Sequence, residues 1–158
     1  MRMRHVYLFV SEHLKNRLIQ LIGGKSVGVR ALIANSANEI LLVRHTYREG
    51  LHTPGGGVKR GESALAAIRR EVYEEVGLEI EVSPSIFAVY KSVWRGIDDY
   101  VILYVIRNFG GLPLANHKDE IVEVTWVSRD TIPLDVTPRT LARLREYWGE
   151  AAISETWY

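Results

Sequence analysis

A mixed α/β domain, with helices on both faces of a mixed β-sheet, is the fold class this sequence predicts, and three observations carry it. Apolar residues alternate with a period of two in segments within 25–43, 79–108 and 121–127. Two other stretches, 63–76 and 137–148, carry apolar residues at helical spacing, the first behind a turn-like 59–62 and the second opening on Thr137-Pro138. The two kinds of segment are interleaved along the chain and joined by short polar or glycine-bearing connections, the pattern of helices packed on a sheet.

Met1 to Ile22 carries Leu14, Leu18, Leu21 and Ile22 at helical spacing beside Arg2, Arg4, Lys15 and Arg17. It reads as a basic amphipathic helix ended by Gly23-Gly24, so residues 1–24 are expected to be part of the domain or packed on it. A dimer contact and a transient membrane-surface contact are the competing roles. From Lys25, Val27, Val29, Ala31 and Ile33 alternate, 35–38 reads as a turn, and Ile40 to Val43 runs back as a buried strand, giving a hairpin. The segment 44–52 that follows is polar and aromatic, and Arg44, His45 and Tyr47 are candidates to hold a substrate.

Ser63 to Val76 contains no glycine or proline and is rich in Ala, Leu, Arg and Glu, which predicts a helix of about four turns. Leu65, Ile68 and Val72 form its expected core stripe. Past the helix, 79–82, 86–93 and 100–108 read as strands, the last two joined by a turn at 95–99, and Phe109 to Pro113 closes that pair. Trp94 or Tyr100 is placed to stack on a nucleobase. The segment 117–127 begins as a polar loop and ends as a strand with Val122, Val124 and Trp126 on one face. Thr137-Pro138 then supplies N-cap and first residue for a helix reaching about Trp148, with Leu141, Leu144 and Trp148 buried.

The 158 residues suit one domain with a sizeable core. A net charge of +1 and the lack of a basic stripe argue against stable nucleic-acid binding, RNA cap removal included. The absence of cysteine excludes disulfides, thiolate nucleophiles and zinc-thiolate centres, and it is compatible with a cytoplasmic location. The apolar run 6–10 is too short for a signal sequence or a membrane span. No Gly-x-Ser-x-Gly elbow is present.

The chemistry concentrates between Gly56 and Leu78. Glu71, Glu74 and Glu75 stand at i, i+3 and i+4, so their carboxylates cluster along one side of the predicted helix. Like charges at that spacing cost an isolated helix roughly 0.2–0.5 kcal/mol per pair, a cost that a cation would offset. Mg²⁺ fits best, with Mn²⁺ as substitute, because hard cations take carboxylate, water and phosphate oxygens. Ala64 and Ala67 are expected to leave room for a bulky anion on that side. Arg70 reads as a clamp on Glu62 and Glu74 within the catalytic set. Upstream, Gly55-Gly56-Gly57 allows a loop whose backbone approaches a ligand closely.

Gly56, Glu62, Arg70, Glu71, Val72, Glu74, Glu75, Gly77 and Leu78 match, position for position, the signature of the Nudix hydrolases. The chain resembles that superfamily over roughly 25–148, with residues 56–78 as the specific part. The resemblance implies a Nudix-type α/β/α sandwich with a mixed β-sheet, and makes 25–158 a Nudix hydrolase domain. It also implies a metal site drawn from Glu71, Glu74, Glu75 and the carbonyl of Gly55, with Glu120 completing the site or acting as base and Glu74 as its alternate. Asp119 and Glu123 compete with Glu120 for that role. The implied reaction is Mg²⁺-dependent cleavage of a phosphoanhydride in a nucleoside diphosphate linked to another moiety. Nucleoside triphosphate pyrophosphohydrolysis is the alternative, and a nucleotide-binding module without chemistry is the third reading. The partner is a small-molecule nucleotide, and homodimers are common among similar proteins.

Overall fold

The computed structural model describes residues 24–116 and 119–158. The expected helix within 1–24 lies outside the described residues, except for Gly24. The elements in order are β1 (Lys25–Ile33), β2 (Ile40–His45), β3 (Leu51–His52), α1 (Ala64–Val76), β4 (Glu79–Ile80), β5 (Ser85–Trp94), β6 (Ile97–Ile106), β7 (Phe109–Gly110), β8 (Ile121–Val127) and α2 (Pro138–Tyr147). Among the described residues three sheets are formed, ordered β1-β6-β5, β3-β2-β8 and β4-β7. The first is mixed, since β1 runs parallel to β6 while β5 is antiparallel to it.

The hairpin expected from β1 and β2 is not a ladder. The turn is present, with Asn38 in the left-handed region at φ 60°. However, the two strands share only the bridge Ala34 to Ile40, and β2 pairs instead with β3 and β8. The reason lies in β1, which is apolar on both faces at its end. Ala31 and Ile33 enter one core cluster, and Leu32 and Ala34 the other. A strand buried on both sides belongs in the middle of a layered domain. By contrast β5 and β6 form a tight hairpin through Arg95 and Gly96, at φ 49° and 80°, the positive pair that a two-residue turn with native twist requires.

α1 lies on one side of this framework. Ala67, Ile68, Val72 and Val76 are buried against Val29, Ala31, Ile33, Tyr104 and Ile106. The three larger aliphatic chains contribute about 1.5–3 kcal/mol each. Leu65, expected in this stripe, is 36% exposed, and Ala67, expected beside the carboxylates, is fully buried. The helix is rotated by about one residue from the face the sequence suggested, so Glu75 is drawn into the boundary of the core. Ser63 caps the helix by accepting from the Ala66 N–H, and Gly77 ends it at φ 69°.

α2 covers the other cluster through Leu144, with Leu141, Tyr147 and Trp148 partly buried. Thr137 caps α2 and Pro138 opens it. Beneath α2 lies a buried polar group that hydrophobic periodicity did not disclose. Arg143 donates to Glu146 at 2.7 Å and to the Thr156 carbonyl at 2.9 Å, with its guanidinium 4.2 Å from the Tyr90 ring centroid. Tyr90 donates its hydroxyl to Glu146 at 2.7 Å. The tail is hydrogen-bonded along β5, with the Lys91 N–H on Glu155 and the Trp157 N–H on Lys91, so that edge is covered. In β8, Ile121 and Val127 are buried, whereas Val122, expected to share a face with Val124 and Trp126, is 60% exposed. Among the described residues, no helix is long and apolar enough to cross a membrane.

Candidate active site

The glycine loop extends the mixed sheet along the outer edge of β1. The Val29 N–H donates to Gly56, the Ala31 N–H to Pro54, and the Val58 N–H to the Val27 carbonyl, each at 2.9 Å. Gly55 lies between those bonds at φ 136°, and any Cβ there would collide with the backbone of Val29 and Arg30. Its own N–H points at α1 and donates to the Glu75 carboxylate at 2.9 Å. Sheet, loop and helix thus meet at one peptide.

Arg70 organises the exposed side of this junction. Its guanidinium grips Glu62 through Nε at 2.8 Å and Nη2 at 3.0 Å. Nη1 donates to Glu71 at 2.6 Å and to Glu74 at 3.1 Å, while Nη2 also reaches the Gly57 carbonyl at 3.1 Å. These contacts raise the Arg70 pKa above its ordinary value. They also hold Glu62 down at about 2, first through Arg70 and then through the Lys59 N–H. Glu71 lies so close to Gly56 that a Cβ on the glycine would stand 2.5 Å from the carboxylate carbon.

Glu75 is different. It is buried, with 5% exposure, and titrates near 7 because burial disfavours its charge. Gly55 and Arg30 oppose that shift, whereas the neighbouring negative charges of Glu71 and Glu120 add to it. Glu71 on α1 and Glu120 at the head of β8 thus both act on Glu75. His45, at the end of β2, brings Nε2 within 3.9 Å of Glu75. That approach is not an ion pair, since burial, then His52, Arg30 and Arg48, push the His45 pKa down to about 4. Both of its ring nitrogens are buried without a hydrogen-bonding partner in the protein.

The other predicted residues divide between this site and elsewhere. Glu120 stands at the head of β8, where its carbonyl accepts from the Thr46 N–H at 2.9 Å. The Tyr47 ring lies 5.1 Å from His45, and its hydroxyl is within the field of Glu120, Glu75 and Arg30. Arg44 is taken up by Glu123 at 2.8 Å and Asp135 at 2.7 Å. Glu123 is thereby ion-paired to Arg44. Trp94 sits at the β5-β6 turn under the Arg95 guanidinium, two strands from β1 and its glycine loop. Sequence reasoning missed Arg30, which donates to the carbonyls of Gly55 and Thr53. An arginine at an outward position of a strand gives no signal of its own, because most such residues are solvated.

Among the described residues, no three His, Asp or Glu side chains converge as a ready-made metal cage. Arg70 occupies Glu71 and Glu74 instead, and the Gly55 N–H occupies Glu75. The donor chemistry nevertheless fits a hard divalent ion: the junction offers several carboxylate oxygens, and the Glu75 pKa is raised first by burial and then by like charge. Gly56→Ala tests the closeness of loop and helix. The added methyl displaces the Glu71 carboxylate, so Mn²⁺ affinity is expected to fall about tenfold while thermal stability changes by no more than about 1 kcal/mol, since a flexible side chain gives way. Isothermal titration and a melting curve measure the two effects separately.

Comparison with known proteins agrees with this geometry. The NUDIX domain profile matches residues 24–147. A MutT-like protein of Streptomyces ambofaciens is 27% identical over 107 residues, covering 68% of this chain and 66% of the relative. The NAD-capped RNA hydrolase NudC of Citrobacter koseri is 32% identical over 109 residues, covering 68% of this chain but only 41% of that enzyme. Among solved structures, the MutT NUDIX hydrolase of Burkholderia pseudomallei superposes with a TM-score of 0.68 at 25% identity, over 77% of this chain and 96% of the other. The MutT protein of Methanosarcina mazei gives 0.64 at 25% identity, over 80% and 94%. The α/β sandwich, the glycine loop and the glutamate helix thus occur together in a chain that belongs to the NUDIX domain family of the Nudix hydrolase superfamily.

Proposed function

We propose that this chain hydrolyses a phosphoanhydride in a nucleoside diphosphate linked to a second moiety, with the help of a divalent ion. The observation that carries the reading is Glu75, buried at the meeting point of loop and helix, where burial first, and then the charges of Glu71 and Glu120, raise it to about 7. Glu71, Glu74 and Glu75 would hold the ion, Mg²⁺ in the first instance. When bound, such an ion supplies charge neutralisation for the diphosphate and lowers the pKa of a water to near neutrality. Arg70 keeps Glu71 and Glu74 oriented through its ion pairs. The Gly55 N–H keeps Glu75 facing the loop. Glu120 enters from β8 and takes the proton of the attacking water. His45, neutral and buried, stands beside Glu75 without adding charge, and the Tyr47 ring lies next to it. The NudC relatives act on NAD-capped RNA, and the diphosphate between two nucleosides in NAD is a bond of the proposed kind.

The test is a product assay by mass spectrometry with Mg²⁺ on NAD, ADP-ribose, nucleotide sugars, dinucleoside polyphosphates, nucleoside triphosphates and NAD-capped RNA, with Glu75→Gln alongside. Nucleoside monophosphate released from a diphosphate-linked substrate, and absent with the variant, supports the reading. Cleavage confined to triphosphates replaces it with pyrophosphohydrolysis, and tight binding without products over hours replaces it with a nucleotide-binding module.

Metal affinity is expected to depend on pH with a definite sign. A proton and a divalent ion compete for the Glu75 carboxylate, which titrates near 7 in the metal-free protein. Apparent Mn²⁺ affinity therefore falls as pH drops below 7, by up to about tenfold per unit. Titrations between about pH 5.5 and 8 check this, and Glu75→Gln flattens the dependence in that range.

A further inference from the structure

The face of the β1-β6-β5 sheet that receives α1 is wider than the helix. α1 covers the part nearest the ends of β1 and β6, where Ala31, Ile33, Tyr104 and Ile106 are buried. On the same face the register continues through the row Val29, Ile102 and Val89, then Val27, Tyr100 and Lys91, then Lys25, Asp98 and Val93. Across these rows the cover gives out. Val89 and Val93 are 51% and 50% exposed, Val27 is 38% exposed, and Ile86, opposite Tyr104, is 56% exposed. The polar groups here already have partners: Lys91 pairs with Asp98 at 3.3 Å, and the Lys25 ammonium lies 5.8 Å from the Tyr100 ring centroid. What is left open is apolar. The opposite face has its cover, since Tyr90, Val101 and Leu103 pack with Leu144 and Trp157.

The chain itself carries a segment suited to this strip. Leu14, Leu18, Leu21 and Ile22 stand at helical spacing, and only Gly23-Gly24 separates them from Lys25, the first residue of β1. Two residues of chain span at most about 7 Å. Val93 is two strands from Lys25, about 10 Å across the sheet. The end of the segment is therefore tethered at the border of the exposed strip. A helix over residues 12–22 would be about 16 Å long, the length of about five residues of strand, which matches 89–93. We propose that the apolar stripe of residues 12–22 docks on β5 and β6 beside α1, burying Val27, Val89 and Val93. Lys15 and Arg17 fall on the borders of that stripe, where their stems add cover and their charges reach water. The tether gives this segment a higher effective concentration at the strip than a second copy of the chain would have. Docked there, it braces the start of β1, whose Val27 carbonyl accepts from the Val58 N–H behind the glycine loop. The inference is independent of the reaction proposed above.

The absence of cysteine makes the test direct. Leu18→Cys is combined with Val89→Cys in the whole 158-residue chain and treated with a short bifunctional maleimide. Leu18→Cys with Val122→Cys, on a strand of the other sheet, is the control. Mass spectrometry is expected to show cross-linking within one chain at least about tenfold faster for the Val89 pair than for the control. Equal rates, or a faster control, overturn the proposal. Cross-links between chains in place of internal ones assign the face to a second copy and overturn it as well. A second measurement, amide hydrogen exchange, needs no cysteine. On a bare strip Val89→Glu is a neutral surface change, whereas beneath a docked segment it sets a charge against the leucines. Exchange within 14–22 should then rise at least about tenfold while the amides of α1 keep their rates. Exchange within 14–22 that is the same in wild type and variant overturns the proposal. So does protection that appears only on adding phosphatidylserine vesicles, which would assign the segment to a membrane surface.

Discussion

Glu75→Gln lowers turnover by at least about a hundredfold without loss of the fold, the largest functional effect expected of any single substitution in this chain. The amide is nearly isosteric and its oxygen still accepts from the Gly55 N–H, so loop and helix keep their contact. What disappears is the negative charge at the junction, and with it a carboxylate proposed to ligate the ion. Stability should respond in the opposite direction. Glu75 has a folded pKa near 7, above the ordinary carboxylate value of 4.5. Its contribution to stability is therefore fully present below about pH 4.5 and is lost as pH rises through 7. At pH 8 in metal-free buffer the wild type carries that strain and the glutamine variant does not. The variant should be no less stable, and by up to about 3 kcal/mol more so. Steady-state kinetics and thermal melts on the same samples test both halves. A variant that keeps its rate removes Glu75 from the chemistry, and one that unfolds shows that the charge holds the loop.

The second large effect is structural. Arg143→Met leaves Glu146 in a buried position with its ion-pair partner gone and releases the Thr156 carbonyl. Breaking a buried pair from one side costs about 3–5 kcal/mol. In a domain of this size that lowers the melting temperature by roughly 10 °C. Glu146 also accepts from the Tyr90 hydroxyl and the Ser154 N–H, so the tail along β5 should loosen, with faster amide exchange at Lys91 and Trp157. The glycine loop and α1 carry none of these contacts, and turnover per folded molecule at low temperature should stay within about twofold. In the double variant Arg143→Met/Glu146→Met both charges leave together. Its destabilisation should fall well short of the sum of the two single losses, which a double-mutant cycle measures. An additive cycle would mean that the pair is not coupled in the folded protein.

Much of the site was legible before any coordinate, and the reason is local. Along a helix, the spacing of Glu71, Glu74 and Glu75 fixes their approximate relation. Arg70 can reach Glu62 and Glu74 because a guanidinium spans about a turn of helix and the entering loop. The start of α2 at Thr137 and Pro138 was legible for the same reason, since a cap depends on neighbours within about three residues. Strand existence was legible for 85–94 and 97–106, where alternation and a Gly-bearing turn agree. Strand partners were not. Nothing in 25–33 and 40–45 distinguishes a hairpin from two strands in different sheets, because a partner is selected by burial on both faces of β1, which depends on α1 and α2 being in place.

Sequence by itself therefore determined the family, the order of the longer strands and of α1 and α2, the start of α2 and the set of carboxylates on α1, all relations carried by short stretches of chain. Tertiary structure alone decided which partners each residue meets across long separations. It placed Glu75 at the edge of the core, rotated Leu65 out and Ala67 in, tied Arg44 to Glu123 and Asp135, and kept Trp94 two strands from the loop. It also brought Arg30 to the Gly55 carbonyl from 25 residues away. The physical reason is that periodicity encodes which face is apolar, whereas the charge state and partners of a polar group depend on what the whole packed chain puts beside it and how much water it removes.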